Sequence, residues 1–149
     1  MAAATDPMPS TILEGGCHCH RVHLSMTATW TPEAVSPRAC DCDFCTRHRA
    51  AWVSDPHGML KVGARDGALM RYRQGSQQAQ FLLCGHCGVL VAVIARDETG
   101  RWLGAANRNA FDARDCFAPT TAASPQQLAP QAKLARWTQL WTPAEVFEE

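Results

Sequence analysis

The chain has 149 residues, of which 46% are hydrophobic, so it can bury the core of one ordinary domain without help from disulfides. Fourteen basic residues balance fourteen acidic ones, which argues against a polyanion-binding surface and so against nucleic acid as a partner. No apolar run approaches the roughly 20 residues of a membrane-spanning helix, and the first residues lack the features of an export signal. We therefore expect a cytoplasmic protein with no membrane partner.

Residues 1–11 show no hydrophobic pattern, and we expect them to form a disordered tail. The stretch RVHLSMTATW, residues 21–30, alternates apolar and polar side chains, which predicts a half-buried strand. Shorter runs separated by turn residues predict further strands in AAWVS, MLKVG, ALMRYR, AQFLLC, VLVAVIA and RWLGAA. The pattern is typical of a mainly β domain with antiparallel, meander-like strands.

The C-terminal part loses this alternation. Residues 109–116 predict a short helical turn, and a surface loop should come after it. Helical spacing of Leu134, Trp137, Leu140 and Trp141 then predicts a short C-terminal helix that ends before Pro143. We expect residues 12–107 to form a β domain, with an extension over 108–149 whose loop and helix pack on it.

Cysteine is the most informative residue type in the sequence. Eight cysteines in a reducing compartment favour metal binding or catalysis over disulfides. Seven of them fall in three tight clusters, at 17 and 19, at 40, 42 and 45, and at 84 and 87. Cys116 stands alone, and we expect it to be a small buried hydrophobic residue.

The favoured division of the seven is four and three, because a structural zinc site takes four protein ligands and a catalytic site keeps one position open. The two pairs would form one site, and the triad, which lies within one short loop, would form a second. Three alternatives stay open. His48 could close the triad as a structural site, Cys42 and Cys45 could join Cys84 and Cys87 in a zinc ribbon, and iron-sulfur ligation fits seven thiols less well.

The motifs GGCHC, CDCDFC and FLLCGHCG together resemble the glutathione-dependent formaldehyde-activating enzyme and centromere protein V family over about residues 12–105. The resemblance implies a β-tent-like fold of small antiparallel sheets clamped by zinc. It also implies a structural zinc on Cys17, Cys19, Cys84 and Cys87, and a second, glutathione-responsive zinc on Cys40, Cys42 and Cys45.

Zinc on three thiolates can hold an incoming thiol as the thiolate and present it to an electrophilic carbonyl. We expect the triad to be catalytic in this way, with a glutathione-like thiol and formaldehyde or a related small aldehyde as substrates. Arg47, His48 and Arg49 follow the triad closely and could offset its negative charge, and the two arginines could also hold a substrate carboxylate.

The leading hypothesis is therefore a zinc-dependent carbon-sulfur lyase or synthase with two zinc ions per chain. The alternative is a non-catalytic, zinc-stabilised protein-binding module. A hydrolase that uses zinc-bound water is disfavoured, because three thiolates make the metal electron-rich. A fourth triad position that no protein side chain fills would favour the enzyme.

Overall fold

A computed structural model describes residues 9–149, apart from the side chain of Gln126. Residues 1–8 of the predicted disordered tail lie outside the described residues, and Thr11 already begins the first strand. The described chain contains eleven strands: β1 Thr11–Gly16, β2 Val22–Ala28, β3 Arg38–Cys40, β4 Ala51–Val53, β5 Met59–Ala64, β6 Leu69–Tyr72, β7 Gln80–Cys84, β8 Leu90–Arg96, β9 Trp102–Asn107, β10 Thr121–Ala123 and β11 Thr142–Glu148.

Two α-helices accompany the strands, α1 Asp43–His48 and α2 Pro130–Leu140. Short 3-10 turns cover Pro32–Ala34, Arg108–Ala110, Arg114–Cys116 and Pro125–Gln127. In the described part of the chain, no helix has the length and apolar character needed to cross a membrane.

The strands form two connected halves. In the first half, β1 pairs with β2 and β2 with β5, both antiparallel, and β5 pairs in parallel with β11. In the second, β9 lies beside β8 along one edge and beside β4 along the other, with β6 and β7 beyond β8 and with β3 and β10 beyond β4. Strand β11 joins the halves, because Thr142 and Pro143 pair with β9 before the strand continues along β5.

The predicted mainly β fold is confirmed, and each of the seven predicted strands is present. The prediction of a helix ending before Pro143 is also confirmed, since α2 ends at Leu140. The meander description was incomplete in one respect. The pairs β3–β10 and β5–β11 are parallel, and each joins segments far apart in the chain.

Two hydrophobic clusters fill the interior. The first lies under β1, β2 and β5 and includes Leu24, Leu60 and Phe111, none of which is exposed. The second cluster lies between the β7–β9 strands and α2, and it contains the triad cysteines together with Trp52, Phe81, Trp137 and Trp141. The triad therefore lies at the edge of a packed core, where its surroundings are largely apolar.

Candidate metal centres

The first centre contains four sulfurs brought together from two parts of the chain. The Sγ atoms of Cys17, Cys19, Cys84 and Cys87 all lie within 4.8 Å of one another. Cys19 Sγ lies 3.7 Å from Cys17 Sγ and 3.6 Å from Cys84 Sγ. A zinc ion with four sulfurs at about 2.3 Å requires sulfur separations of about 3.8 Å, so this donor set fits tetrahedral zinc.

Tight turns direct these sulfurs inward. The backbone N–H groups of Val22 and Cys87 donate to Cys17 Sγ and Cys84 Sγ at 3.2 and 3.4 Å. Gly88 comes directly after the second pair with φ at +86°, and its N–H donates to the Cys84 carbonyl at 2.7 Å. A positive φ suits glycine, so the residue after the Cys-x-x-Cys pair allows the turn to close.

The thiols of this group differ in acidity. A hydrogen bond from the Arg21 backbone lowers the pKa of Cys19 to about 6. Burial raises the pKa of Cys17 to about 11. One sulfur of the group is thus ready to act as a thiolate near neutral pH, and a bound cation would favour deprotonation of the others.

The second centre contains three sulfurs from one short segment. Cys40 ends β3, Cys42 caps the N-terminus of α1, and Cys45 lies in its first turn. Their Sγ atoms lie within 4.8 Å of one another, and all three residues are buried. The Cys45 N–H donates to Cys42 Sγ at 3.4 Å, so this cysteine acts as the helix cap as well as a candidate ligand.

Hydrogen bonds among the three thiols shift their pKa values in different directions. A hydrogen bond from Cys45 lowers the pKa of Cys40 to about 6, against the opposing effect of burial. The same contact, together with burial, raises the pKa of Cys45 far above its ordinary value. The group therefore favours one thiolate that its two neighbouring thiols stabilise. The three clustered sulfurs are a suitable donor set for a soft divalent metal.

The grouping of the sulfurs matches the favoured division of four and three. Among the described residues, no His, Asp or Glu joins either group, and no group combines Cys42 and Cys45 with Cys84 and Cys87. His48 lies at the last position of α1, where its ring packs on Phe44 with centroids 4.7 Å apart. The described side chains thus leave the triad with three ligands.

A cavity of about 480 Å³ opens onto this triad. Cys40, Cys42 and Cys45 all line it. One wall is aromatic and consists of Trp52, Phe81, Trp137 and Trp141. The ring centroids of Trp137 and Trp141 lie 4.6 Å apart in a stacked pair, so α2 and its C-terminal end contribute packed aromatic surface to the cavity.

The three basic residues predicted to serve the substrate do not line this cavity. Arg47 pairs with Asp43 on the exposed surface of α1, at 3.0 Å. Arg49 is the C-cap of α1, with φ at +51°. A substrate role for Arg47, His48 and Arg49 stays a prediction that the geometry of the cavity does not favour.

Three other basic residues do line the cavity: Arg38, Lys133 and Arg136. The sequence patterns did not point to them. Burial, together with the charge of nearby Arg136, lowers the pKa of Arg38. The helical pattern of Trp137 and Leu140 was a partial signal, since residues three and four positions from a buried one tend to border the same face. Lys133 lies four positions before Trp137, and Arg136 lies four positions before Leu140. It did not show which part of the β domain the helix would cover.

The expectation that Cys116 is buried was wrong. It lies at the end of the surface turn Arg114–Cys116 and is exposed. His18, His20 and His86 are exposed too, and none of them joins a sulfur group.

The fold and these centres define a mainly β protein with two cysteine clusters, each of which could hold a metal ion. The family model of the glutathione-dependent formaldehyde-activating enzyme matches residues 12–132. The chain therefore belongs to that family. The match extends past the resemblance seen in the motifs and ends within the first turn of α2.

A solved structure supports the fold. The crystal structure of a Rhodobacter sphaeroides protein is similar to this chain with a TM-score of 0.54 and 23% sequence identity, over 74% of this chain and 99% of the other. At that identity the likeness concerns the fold alone. No curated protein matches the chain significantly.

Proposed function

We propose that this protein is a zinc-dependent carbon-sulfur lyase or synthase of the glutathione-dependent formaldehyde-activating type, acting in the cytoplasm. The observation that carries the proposal is the contrast between the two sulfur groups. One offers four ligands, and the other offers three and borders a cavity of about 480 Å³. This is the contrast expected between a structural and a catalytic zinc site.

The proposed reaction is a reversible addition. The thiol sulfur of a glutathione-like substrate forms a bond to the carbonyl carbon of formaldehyde or a related small aldehyde. The carbonyl π bond breaks, and the thiol proton moves overall to the carbonyl oxygen, so the product is a thiohemiacetal and no oxidant is needed. The family name supports both substrates.

Cys40, Cys42 and Cys45 would hold the catalytic zinc, and Cys17, Cys19, Cys84 and Cys87 the structural one. Zinc at the triad would supply the Lewis acidity that keeps the incoming thiol deprotonated near neutral pH. The aromatic wall, of which Trp52 is a part, would exclude water from the reacting groups. The Gln74 side-chain amide, 4.0 Å from Cys42 Sγ, lies where it can donate a hydrogen bond to sulfur or to a carbonyl oxygen.

The reaction can be tested with carbon-13-labelled formaldehyde and glutathione, by monitoring adduct formation and exchange by NMR. We expect the zinc-loaded protein to accelerate exchange above the spontaneous rate, and Cys42→Ser to return it to that rate. Cys116→Ser is the matched control, because it removes an exposed thiol outside both groups. Equal rates with and without the wild-type protein would contradict the proposal and favour the non-catalytic binding module.

A further inference from the structure

The cavity beside the triad has a basic wall made by two separate elements. Arg38 begins β3, and Lys133 and Arg136 lie three positions apart on α2, so the two α2 side chains share a face. All three line the cavity and are half-buried. Strand β10, which lies shortly before α2 in the sequence, pairs in parallel with β3. This pairing brings the start of α2 back to the region of Arg38.

Within the described chain, no carboxylate forms an ion pair with any of these three residues. Asp43 also lines the cavity, but its carboxylate is engaged by Arg47 at 3.0 Å. Arg38 donates to Ser54 Oγ at 2.9 Å, a neutral partner. Three cations that share a half-buried wall repel one another, and an anionic ligand would relieve that repulsion.

The orientation of this wall is set by the packing around it. Ser54, which accepts from Arg38, donates its own hydroxyl proton to the Leu140 carbonyl at 2.6 Å. This contact ties the end of α2 to the segment after β4. Lys133 and Arg136 therefore lie on a helix that is anchored at its C-terminal end, which favours a preformed site.

The size and lining of the cavity also indicate the kind of ligand. A volume of about 480 Å³ lies within the range that suits a molecule of many atoms, far more than a one-carbon aldehyde contains. The basic wall is combined with the aromatic wall of Trp52, Phe81, Trp137 and Trp141. The larger substrate should thus carry negative charge as well as apolar groups.

We propose that Arg38, Lys133 and Arg136 bind a carboxylate of the thiol substrate, so that the cavity selects anionic thiols over neutral ones. The inference rests on the proposed function, because it names the substrate class of that same site. Lys133 and Arg136 lie beyond the last residue that the family model matches, so two of the three cations would come from outside the matched region.

The experiment uses S-methylglutathione, which keeps both carboxylates but has no free thiol, and its diethyl ester, which lacks the negative charges. Isothermal titration into the zinc-loaded protein measures binding without any contribution from thiol ligation. We expect the acid to bind at least about tenfold more tightly than the ester, since charge-assisted hydrogen bonds are lost on esterification. Arg136→Gln and, independently, Lys133→Gln should each reduce that ratio.

Arg101→Gln is the matched control, because it removes one positive charge from the β8–β9 connection, outside the cavity. It should leave the ratio unchanged. Circular dichroism of each variant verifies the fold. Equal binding of acid and ester, no binding of either, or an unchanged ratio in both α2 variants would overturn the inference. None of these outcomes would affect NMR-detected exchange, on which the proposed function depends.

Discussion

Cys19 and Cys84 are 65 positions apart in the sequence, yet their Sγ atoms lie 3.6 Å apart. The first belongs to the connection between β1 and β2, and the second ends β7. The contact between these two sulfurs joins the half of the fold that contains β1 and β2 to the half that contains β7. A metal held there would close a long loop, which is the condition under which a cross-link stabilises most.

This arrangement predicts different consequences for the two sulfur groups. Cys84→Ser should unfold the protein or make it insoluble, because structural zinc contributes about 10–16 kcal/mol in small domains and a typical domain is stable by only about 5–15 kcal/mol. Cys42→Ser alters a group confined to one short segment and should leave the fold intact. Circular dichroism and thermal unfolding of both variants provide the comparison.

A second prediction concerns close backbone contact near the first centre. A Cβ atom at Gly15 would lie 2.0 Å from the Ala110 carbonyl oxygen, so Gly15→Ala must displace the backbone of β1 or of the 108–110 turn. We expect a loss of at least about 2 kcal/mol in the free energy of unfolding. Gly63→Ala, in β5, is the control, since nothing lies within 4 Å of its Cβ position. Similar unfolding midpoints for the two variants would show that the contact carries no such constraint.

A third prediction concerns Asp55, a buried acid that is 2% exposed. Burial raises its pKa, but hydrogen bonds from Thr29 and the His57 N–H outweigh that effect and leave the pKa below its ordinary value. The ionised Asp55 carboxylate therefore makes its full contribution to folding stability above about pH 5, and this contribution is lost as the pH falls through the ordinary Asp pKa and then through the lowered one.

Asp55→Asn should cost about 1–3 kcal/mol at neutral pH, because it removes a charged acceptor of several hydrogen bonds. The difference from wild type should shrink as the pH decreases from about 5 to about 3. Asp66→Asn removes an equally charged but exposed carboxylate and should cost less than about 0.5 kcal/mol. Urea unfolding over this pH range measures both, and a constant difference for Asp55→Asn would argue against the lowered pKa.

A fourth prediction is the metal and thiol count. We expect two zinc ions per chain and one thiol, that of exposed Cys116, that reacts quickly with a thiol reagent in the native protein. Removal of zinc by a chelator under denaturing conditions should make all eight cysteines reactive. One zinc with several reactive thiols would contradict the division into four and three.

Local patterns in the sequence were enough to predict most strands and the favoured cysteine grouping. The alternation in 21–30 reports which side chains face the core, and β2 buries Val22, Leu24 and Met26 as that pattern requires. Strand β11 was missed because Pro143 ends the helical pattern and the residues after it show no clear strand signal. Its pairing with β5 depends on residues about 80 positions away, so no local signal could indicate it.

The basic residues of the candidate site show the same limit of prediction from local sequence patterns. Arg47, His48 and Arg49 drew attention because they follow the triad closely in the sequence, yet none of them lines the cavity. Arg38 and Arg136 reach it from elements almost 100 positions apart. Proximity in sequence predicted the cysteine clusters that could hold a metal ion, which lie in tight turns, but it could not predict a cavity wall assembled by tertiary packing.

Cobalt substitution tests most directly whether the triad holds a metal with a position open to a thiol. The visible spectrum of the cobalt-loaded protein should change in a saturable way as glutathione is added, both in the wild type and in Cys116→Ser. Cys42→Ser, which should lose the triad metal, should show no such change. A wild-type spectrum that glutathione leaves unaltered would contradict the account.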